Sequence, residues 1–430
     1  MLNPLAQELN DALRGTVAGE LLSDLGARIF FPRGIISQGA EAKQFGKFAN
    51  ATIGTTIISG KPAILPSVQK YAPELSAAEF VSYAPTAGNP DLQKKWKELM
   101  LKKNPGLEGK STSNPVVVPG LTAGISYLAD LFVDSNHPLL AANPSWDNYA
   151  LVIEARRGAE LHTFNLFRNG GFDVVSFKAA MESEAKSGSV RVLLNFPQNP
   201  SGYSPTNAEA GQIVSVVKEI AEKGAKVIVW VDDAYFGLNY EADIYPQSLF
   251  AEFADLHENV LAVKIDGPTK EDFVWGFRCG FLTFAGKGLD AGHYLALEKK
   301  LMGLIRSSVS CSSSPSQAIS LRAFNEPRIE EEKKAFRDIL EKRYKKVRAF
   351  VSSRKSDMLE PMPFNSGYFM SFRTKCNAEE LRMRILHDKQ IGTISIDDST
   401  LRVAFSSVDE DKIDQVYSAI YEAADSMRDA

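Results

Sequence analysis

Apolar runs of strand length recur along the middle of this chain, at residues 115–118, 138–142, 191–196, 226–231, 259–265 and 280–284. Helical patterns separate most of them, among them Ile125 to Phe132 and Gly211 to Ala221. This alternation limits the possible folds more than any other feature. Strands joined by helices tend to lie parallel, with both sheet faces covered, so each strand reads as a continuous apolar run. The expectation is an α/β domain with a mostly parallel sheet. Ligands of such sheets bind beyond the carboxyl ends of the strands, so the loops leaving those ends are where chemistry should sit.

The flanking segments read differently. Residues 1 to about 50 read as a helix followed by an irregular arm, with Phe30-Phe31-Pro32-Arg33-Gly34 as the break. Ile53-Gly54-Thr55 and Ser59-Gly60-Lys61-Pro62 read as a glycine-rich loop, and Ser67 to Tyr71 begins a short helix. The turn-rich stretch from Tyr83 to Pro90 leads into a helix capped by Asn89 or Asp91, with Leu92, Trp96 and Leu99 at helical spacing. A long helical pattern follows Pro327, marked by Phe336, Ile339, Leu340, Tyr344, Val347 and Phe350. Beyond it come a strand at Tyr368 to Phe372, a helix at Glu379 to His387, strands at Ile391 to Ile396 and Leu401 to Phe405, and a closing helix from Asp409 to Met427. That remainder predicts a smaller α+β domain joined by the N-terminal arm. The expected division is 1–65 for the arm and part of the small domain, 66–326 for the large domain and 327–430 for the small C-terminal domain.

Bulk properties narrow the function. The chain has 430 residues and a net charge of −4, with no long basic run. Nucleic acid and anionic membrane surfaces are therefore poor partners. Its three cysteines, Cys279, Cys311 and Cys376, form no Cys-x-x-Cys pair and no disulfide framework, which fits a reducing compartment. The five histidines are scattered, so no metal site is expected. No apolar stretch approaches transmembrane length, and Met1 to Asp24 lacks the apolar core of a signal peptide. A cytoplasmic location is expected.

The loops after the strands carry unusual residues. After Val118 comes Pro119-Gly120-Leu121-Thr122, opening a helix. Free N–H groups at a helix start and a hydroxyl bind phosphate well, although a plain helix cap reads the same. The next loop, Asn143-Pro144-Ser145-Trp146-Asp147-Asn148-Tyr149, offers a tryptophan for stacking on a planar ring or for the core. Asn195-Phe196-Pro197-Gln198-Asn199-Pro200-Ser201-Gly202 is either a plain turn or a rigid mount for Asn199 as a donor. Asp232-Asp233-Ala234-Tyr235 ends an apolar strand with an acid. Such an acid caps a helix or needs a cationic partner, because burying it unpaired is costly. Last, Val260 to Ile265 runs into Asp266-Gly267-Pro268-Thr269-Lys270, with Arg278 between glycines in Trp275-Gly276-Phe277-Arg278-Cys279-Gly280. Alone this is a surface loop with two solvated cations, or a desolvated amine able to condense with an aldehyde beside a phosphate-binding arginine.

In order, these loops supply phosphate donors, a ring stacker, a donor, a ring-nitrogen acid, an amine and an arginine. Pyridoxal 5'-phosphate needs this set, above all a lysine for its aldehyde and an acid at its pyridinium nitrogen. The chain resembles the fold-type I pyridoxal-phosphate-dependent aminotransferases (class I/II), in particular the aspartate and aromatic aminotransferase group, from about Gly54 to Arg402. The resemblance implies a large domain with a mostly parallel seven-stranded sheet flanked by helices, plus a smaller α+β domain. Lys270 resembles the Schiff-base lysine, and Arg278 the phosphate arginine. Asp232 and Tyr235 look like the ring-nitrogen acid and the tyrosine on the ring oxygen, which Asn199 also meets. Gly120, Leu121 and Thr122 resemble the phosphate loop, and Trp146 the stacking tryptophan. Tyr83 resembles a tyrosine that reaches the phosphate of the neighbouring subunit. Arg402 in Leu-Arg-Val-Ala looks like the clamp on the substrate α-carboxylate, with Gly54 beside it. Arg306 in Ile-Arg resembles the arginine that crosses the dimer interface to a distal carboxylate; without the resemblance it is equally a helix-end arginine.

The resemblance further implies a homodimer with shared sites, acting on an amino acid (aspartate, glutamate or aromatic) and a 2-oxo acid. The sequence also departs from the family. The family places serines three and one residues before the lysine, where this chain has Gly267 and Thr269. One phosphate hydroxyl is lost, and Thr269 is left to supply the other. Val309-Ser310-Cys311-Ser312-Ser313-Ser314-Pro315 replaces the family's Tyr-Ser-Asn-Pro-Pro pattern after Arg306. C–S lyases and cyclopropane-forming synthases built on the same scaffold remain as an alternative. A regulator carrying this domain would need a DNA-binding module, and no basic segment provides one.

Overall fold

The computed structural model describes residues 2–14, 22, 24–29, 35–52 and 54–428. The break at Phe30 to Gly34, and Ile53 in the glycine-rich stretch, lie outside them. The expected alternation yields a seven-stranded sheet. Its strands are β1 (Val116–Val118), β2 (Leu139–Asn143), β3 (Leu161–Asn165), β4 (Ser189–Asn195), β5 (Lys226–Asp232), β6 (Val260–Asp266) and β7 (Gly280–Gly286). They lie side by side in the order β1-β7-β6-β5-β4-β2-β3. Only β7 runs against its neighbours. The sheet is thus mostly parallel, and helices cover both faces.

Strand alternation assigns side chains to those faces. Leu193, Ile228, Trp230, Val263 and Ile265 meet the helices Leu121–Phe132 and Ala291–Ser308. Val192, Leu194, Val227, Val229, Val231, Val260 and Ala262 meet Val174–Glu184 and Asn207–Glu222 on the other side. Full burial of each such aliphatic side chain contributes about 1.5–3 kcal/mol, which is why these strands carry almost no polar residue. Strand β3 was not expected. Its sequence, Leu-His-Thr-Phe-Asn, sits on the sheet edge with only Phe164 buried, so it lacks the apolar run that marks the others.

A second, four-stranded sheet consists of β8 (Leu359–Pro361), β9 (Phe369–Thr374), β10 (Ile394–Asp397) and β11 (Thr400–Ala404), in the order β8-β9-β11-β10. The long helix Ile329–Ser353 and the helices Ala378–Lys389 and Ile413–Asp425 accompany it. The closing helix starts later than expected because Glu410–Lys412 forms a separate 3-10 turn. The run Ile391 to Ile396 is also split. Ile391–Gly392 pairs with Ala49–Asn50, and only β10 joins the sheet.

The arm is more regular than its sequence suggests. It contains helices Pro4–Leu13, Asp24–Arg28 and Ile35–Phe45. The third packs on Gly392, where a Cβ would lie 2.4 Å from Ala42 Cβ. Gln38 accepts from the Ser395 N–H (2.9 Å) and donates to its carbonyl (3.0 Å), anchoring the helix to β10. In Ser59 to Pro62 only Ser59-Gly60 is a turn; Lys61–Pro62 is the second strand of a short hairpin with Ile57–Ile58. Ser59 and Gly60 both have positive φ, the requirement of a tight primed turn.

Candidate active site

The carboxyl ends of β1, β2, β4, β5 and β6 border one cavity of about 320 Å³. Eleven of the expected residues line it: Gly54, Leu121, Thr122, Trp146, Asn199, Asp232, Tyr235, Thr269, Lys270, Arg278 and Arg402. Gly120 lies just behind the wall. Tyr83 and Arg306 do not line the cavity of their own chain. Tyr83 is 91% exposed, and Arg306 is exposed in the last turn of Ala291–Ser308.

One end of the cavity suits an anion. The helix Leu121–Phe132 has no side-chain cap, so its first N–H groups are left for a ligand. Gly120 precedes it at φ 90, where a Cβ would fall 2.4 Å from Arg278 Nη2. Arg278 itself is left-handed at φ 50, and its Nη1 donates to the Trp275 carbonyl at 3.0 Å. Of the two glycines around it, only Gly280 is tightly packed, with its would-be Cβ 3.2 Å from the Leu121 backbone nitrogen; Gly276 faces open space. Thr269 is buried, and its Oγ1 has no hydrogen-bond partner. The Lys270 loop is a single helical turn, Pro268–Glu271, started by Pro268. A side chain at Gly267 would be crowded, with its Cβ 3.0 Å from both the Cys279 carbonyl oxygen and Gly280 Cα.

The cavity centre holds an amine and an acid. Lys270 Nζ sits 5.2 Å from the centroid of the Tyr235 ring. Desolvation, joined by the Arg278 and Arg402 charges, lowers the Lys270 pKa to about 8. Asp232 ends β5 in register with Asn195 at the end of β4. Burial raises its pKa to about 6, opposed by hydrogen bonds from the Tyr149 hydroxyl and the Ala234 N–H. Two neutral donors thus hold the Asp232 carboxylate from its own chain. Asp233 does not join the cavity. Alternation turns it to the opposite sheet face, where it meets Lys264 and Ser248.

On the small-sheet side, Arg402 of β11 is 2% exposed. Its Nη1 donates to Asn199 Oδ1 (2.9 Å) and its Nη2 to the Thr52 carbonyl (3.0 Å), while Nε has no partner. The guanidinium lies 4.3 Å from the centroid of the Phe369 ring, and burial lowers its pKa to about 10. A Cβ at Gly54 would meet Phe369 Cζ at 3.0 Å, so only glycine leaves this corner open.

Tyr149, Asn195 and Tyr368 support these residues, and the sequence alone gives them no role. Tyr149 lies in the same loop as Trp146 and packs edge-on against it, with centroids 5.4 Å apart. Asn195 donates to the Asp232 carbonyl and accepts from the Asn199 N–H, each at 2.9 Å. The Tyr368 hydroxyl donates to the Lys270 carbonyl at 2.9 Å. The first two stand in the strand-end loops that also carry Trp146 and Asn199. Tyr368 comes from a distant segment, and no local pattern marks it.

A buried acid and a desolvated lysine thus share one cavity at the strand ends of an α/β fold. The chain belongs to the aminotransferase class I and II family, whose model it matches over residues 57–420. It is 22% identical over 320 residues to an aspartate aminotransferase of Sulfurisphaera tokodaii, covering 73% of this chain and 74% of that protein. It is 25% identical over 294 residues to a probable N-acetyl-LL-diaminopimelate aminotransferase of Bacillus subtilis, covering 68% and 66%. An aminotransferase structure from Anaerococcus prevotii shares the fold with a TM-score of 0.82 at 24% identity, covering 92% and 97% of the two chains. A kynurenine aminotransferase from Pyrococcus horikoshii, in complex with PMP, does so with 0.78 at 15% identity, covering 96% and 99%. The protein is therefore a transaminase of a pyridoxal-phosphate-dependent family. Among the described residues, no helix is long and apolar enough to cross a membrane.

Proposed function

We propose that this chain uses its own cavity to hold pyridoxal 5'-phosphate and moves amino groups between aspartate, glutamate or aromatic amino acids and 2-oxo acids. The observation that carries the proposal is the desolvated Lys270 amine in one cavity with buried Asp232 and buried Arg402. The residues fit the cofactor. Thr269 Oγ1 is a buried hydroxyl without a partner, and Gly120 leaves Arg278 a space that any Cβ would fill. The uncapped helix start adds N–H donors for a phosphate.

When bound, the cofactor supplies an aldehyde for the amino group and a protonated ring that accepts electrons from the substrate Cα. Lys270, its pKa lowered to about 8, would offer that aldehyde a neutral amine at a lower pH than an ordinary lysine. Lys270 would also be the group placed to take the proton from the substrate Cα and return it, as base and then as acid. Asp232 would hold the proton on the ring nitrogen. Asn199 and Tyr235 would donate to the ring oxygen, and Trp146 would pack against the ring. Gly120, Leu121, Thr122, Thr269 and Arg278 hold the phosphate. Arg402 binds the α-carboxylate, with Gly54 leaving room for it.

The proposal includes a homodimer. Phe80, Val81 and Tyr83 are 60%, 75% and 91% exposed, which supports a second copy covering this segment. Tyr83 would then reach the partner's phosphate site, and Arg306 the partner's substrate. The division at 65/66 and 326/327 belongs to the same reading, supported by the two separate sheets. So does a cytoplasmic location, supported by three free cysteines.

An assay with aspartate, glutamate or phenylalanine and a 2-oxo acid acceptor tests the reaction. The expected products are a new amino acid and a new oxo acid in equal amounts. Release of ammonia without acceptor would instead assign the chain to the lyases of the same scaffold.

A further inference from the structure

Strand β6 is apolar except for Lys264, which is 1% exposed, and its last residue, Asp266. Alternation places Val260, Ala262, Lys264 and Asp266 on one face of the sheet, and Asp233 of the neighbouring chain segment on the same face. Lys264 Nζ contacts Asp233 Oδ2 and lies 2.9 Å from Asp266 Oδ2. The Ser248 hydroxyl donates to Asp233 Oδ2 at 2.6 Å, and the Trp96 indole N–H donates to Asp266 Oδ1 at 3.0 Å. None of Asp233, Lys264 and Asp266 lines the cavity. Yet Asp233 adjoins Asp232, whose side chain leaves the opposite face of the same strand end.

A buried ion pair is a poor source of stability, because desolvation offsets its Coulomb attraction. Its position here points to another role. Two adjacent buried carboxylates resist ionising together. Asp232 must stay ionised to hold a proton on a ring nitrogen. We propose that Lys264 neutralises Asp233 from the far side of the sheet and thereby keeps Asp232 ionised, which makes Lys264 a positioning residue for the acid of the active site. The inference rests on the role proposed for Asp232.

The groups acting on Asp232 are few. Tyr149 and the Ala234 N–H donate to it, the Lys270 charge favours its anion, and the Asp233 charge opposes it. Tyr235 stands nearby. On the far face, Asp233 meets Lys264, Ser248 and Asp266. Removing the lysine leaves the Asp233 charge uncompensated. Removing both leaves Asp232 with its near-side partners.

The experiment follows the Asp232 carboxyl by carbon NMR of the full chain labelled on aspartate, with Asp232→Asn identifying the signal. Lys264→Met should raise the titration midpoint by about one unit or more, the scale of a like charge close by. Asp233→Asn should lower it, and Lys264→Met with Asp233→Asn should return it below the Lys264→Met value. An unchanged midpoint in Lys264→Met, or a rise that persists in the double variant, overturns the proposal. If Lys264→Met does not fold, Asp233→Asn and Lys264→Arg carry the test: the first must lower the midpoint and the second must retain it. A second readout uses holoenzyme loaded with ring-nitrogen-labelled cofactor. If the midpoints follow the expected order while the ring nitrogen is unprotonated even in wild type, the role of Asp232 fails and the charge compensation stands.

Discussion

The Tyr149 hydroxyl donates to Asp232 Oδ2 at 2.5 Å, and both side chains are buried. This bond stabilises the ionised acid against the desolvation that raises its pKa to about 6. A hydrogen bond to a charged group contributes about 1.5–3 kcal/mol. Tyr149→Phe should therefore raise the Asp232 pKa and lower kcat about ten- to a hundredfold. Asp232→Ala should retain cofactor and lose most transamination. Steady-state rates for the two variants check this. Wild-type kcat in Tyr149→Phe would remove the tyrosine from the mechanism, and full activity in Asp232→Ala would remove the acid.

Lys270 makes the cofactor-free protein less stable. In the unfolded chain it holds its proton up to about pH 10.5, in the fold only up to about pH 8. Between these values the unfolded chain binds more protons, so stability rises with pH across that window. Below pH 8 the whole cost stands, at most about 3 kcal/mol at about 1.4 kcal/mol per unit. Lys270→Met should stabilise the cofactor-free protein at pH 7, and the gain should shrink toward pH 10.5. Urea unfolding at two pH values measures it. A loss of stability at pH 7, or a gain independent of pH, contradicts the assignment.

Variants at Thr269 and Gly267 should both weaken the phosphate site but change stability in opposite directions. The Thr269 hydroxyl is buried and without a partner. Thr269→Val removes an unsatisfied group, so the cofactor-free protein should keep its stability or gain about 1 kcal/mol. Its affinity for the cofactor should fall about tenfold, the scale of one neutral donor lost. Gly267→Ser restores the residue usual in the family, yet its Cβ would press on the Cys279 carbonyl. That variant should bind the cofactor more weakly and melt lower. Equilibrium binding and thermal melts decide both. Tighter binding in Gly267→Ser would show that the turn relaxes freely.

Much of this site was legible before the fold was known, because its residues follow strands in chain order. Asp232, Lys270 and Arg278 stand beside turns that end apolar runs, and the sheet brings such ends together. What escaped depends on other relationships. Tyr368 meets Lys270 from 98 residues away. Tyr149 looks like a core aromatic until Asp232 is placed beside it. Lys264 broke the apolar pattern of β6, and Asp233 on the next strand end was the available hint of its partner. Strand β3 escaped because an edge strand needs little apolar character. The helix Ile35–Phe45 escaped because Gln38 and Ala42 seat it on residues more than 300 positions away.

Arg402 and Arg306 should separate by substrate. Every amino acid has an α-carboxylate, so Arg402→Ala should damage all donors. Arg306→Ala should lower kcat/KM for aspartate or glutamate about ten- to several-hundredfold, one or two charge-assisted bonds at about 1.5–3 kcal/mol each. Phenylalanine should change much less. Mixing Arg306→Ala and Lys270→Ala subunits tests the crossing. If Arg306 serves the partner's lysine, one site of each heterodimer carries both defects and the other neither. Heterodimers showing only the Arg306→Ala phenotype would assign the arginine to its own subunit.

The central claim is that Lys270 is the residue that condenses with the cofactor. Loading the protein with pyridoxal 5'-phosphate, reducing with borohydride and mapping the labelled peptide tests it most directly. The expected result is a yellow protein whose visible band disappears on reduction, with one label, on Lys270. Lys264 is the nearest rival in sequence, but it is 1% exposed and paired with two carboxylates. A label on Lys264, on any other lysine, or no label at all would contradict the account.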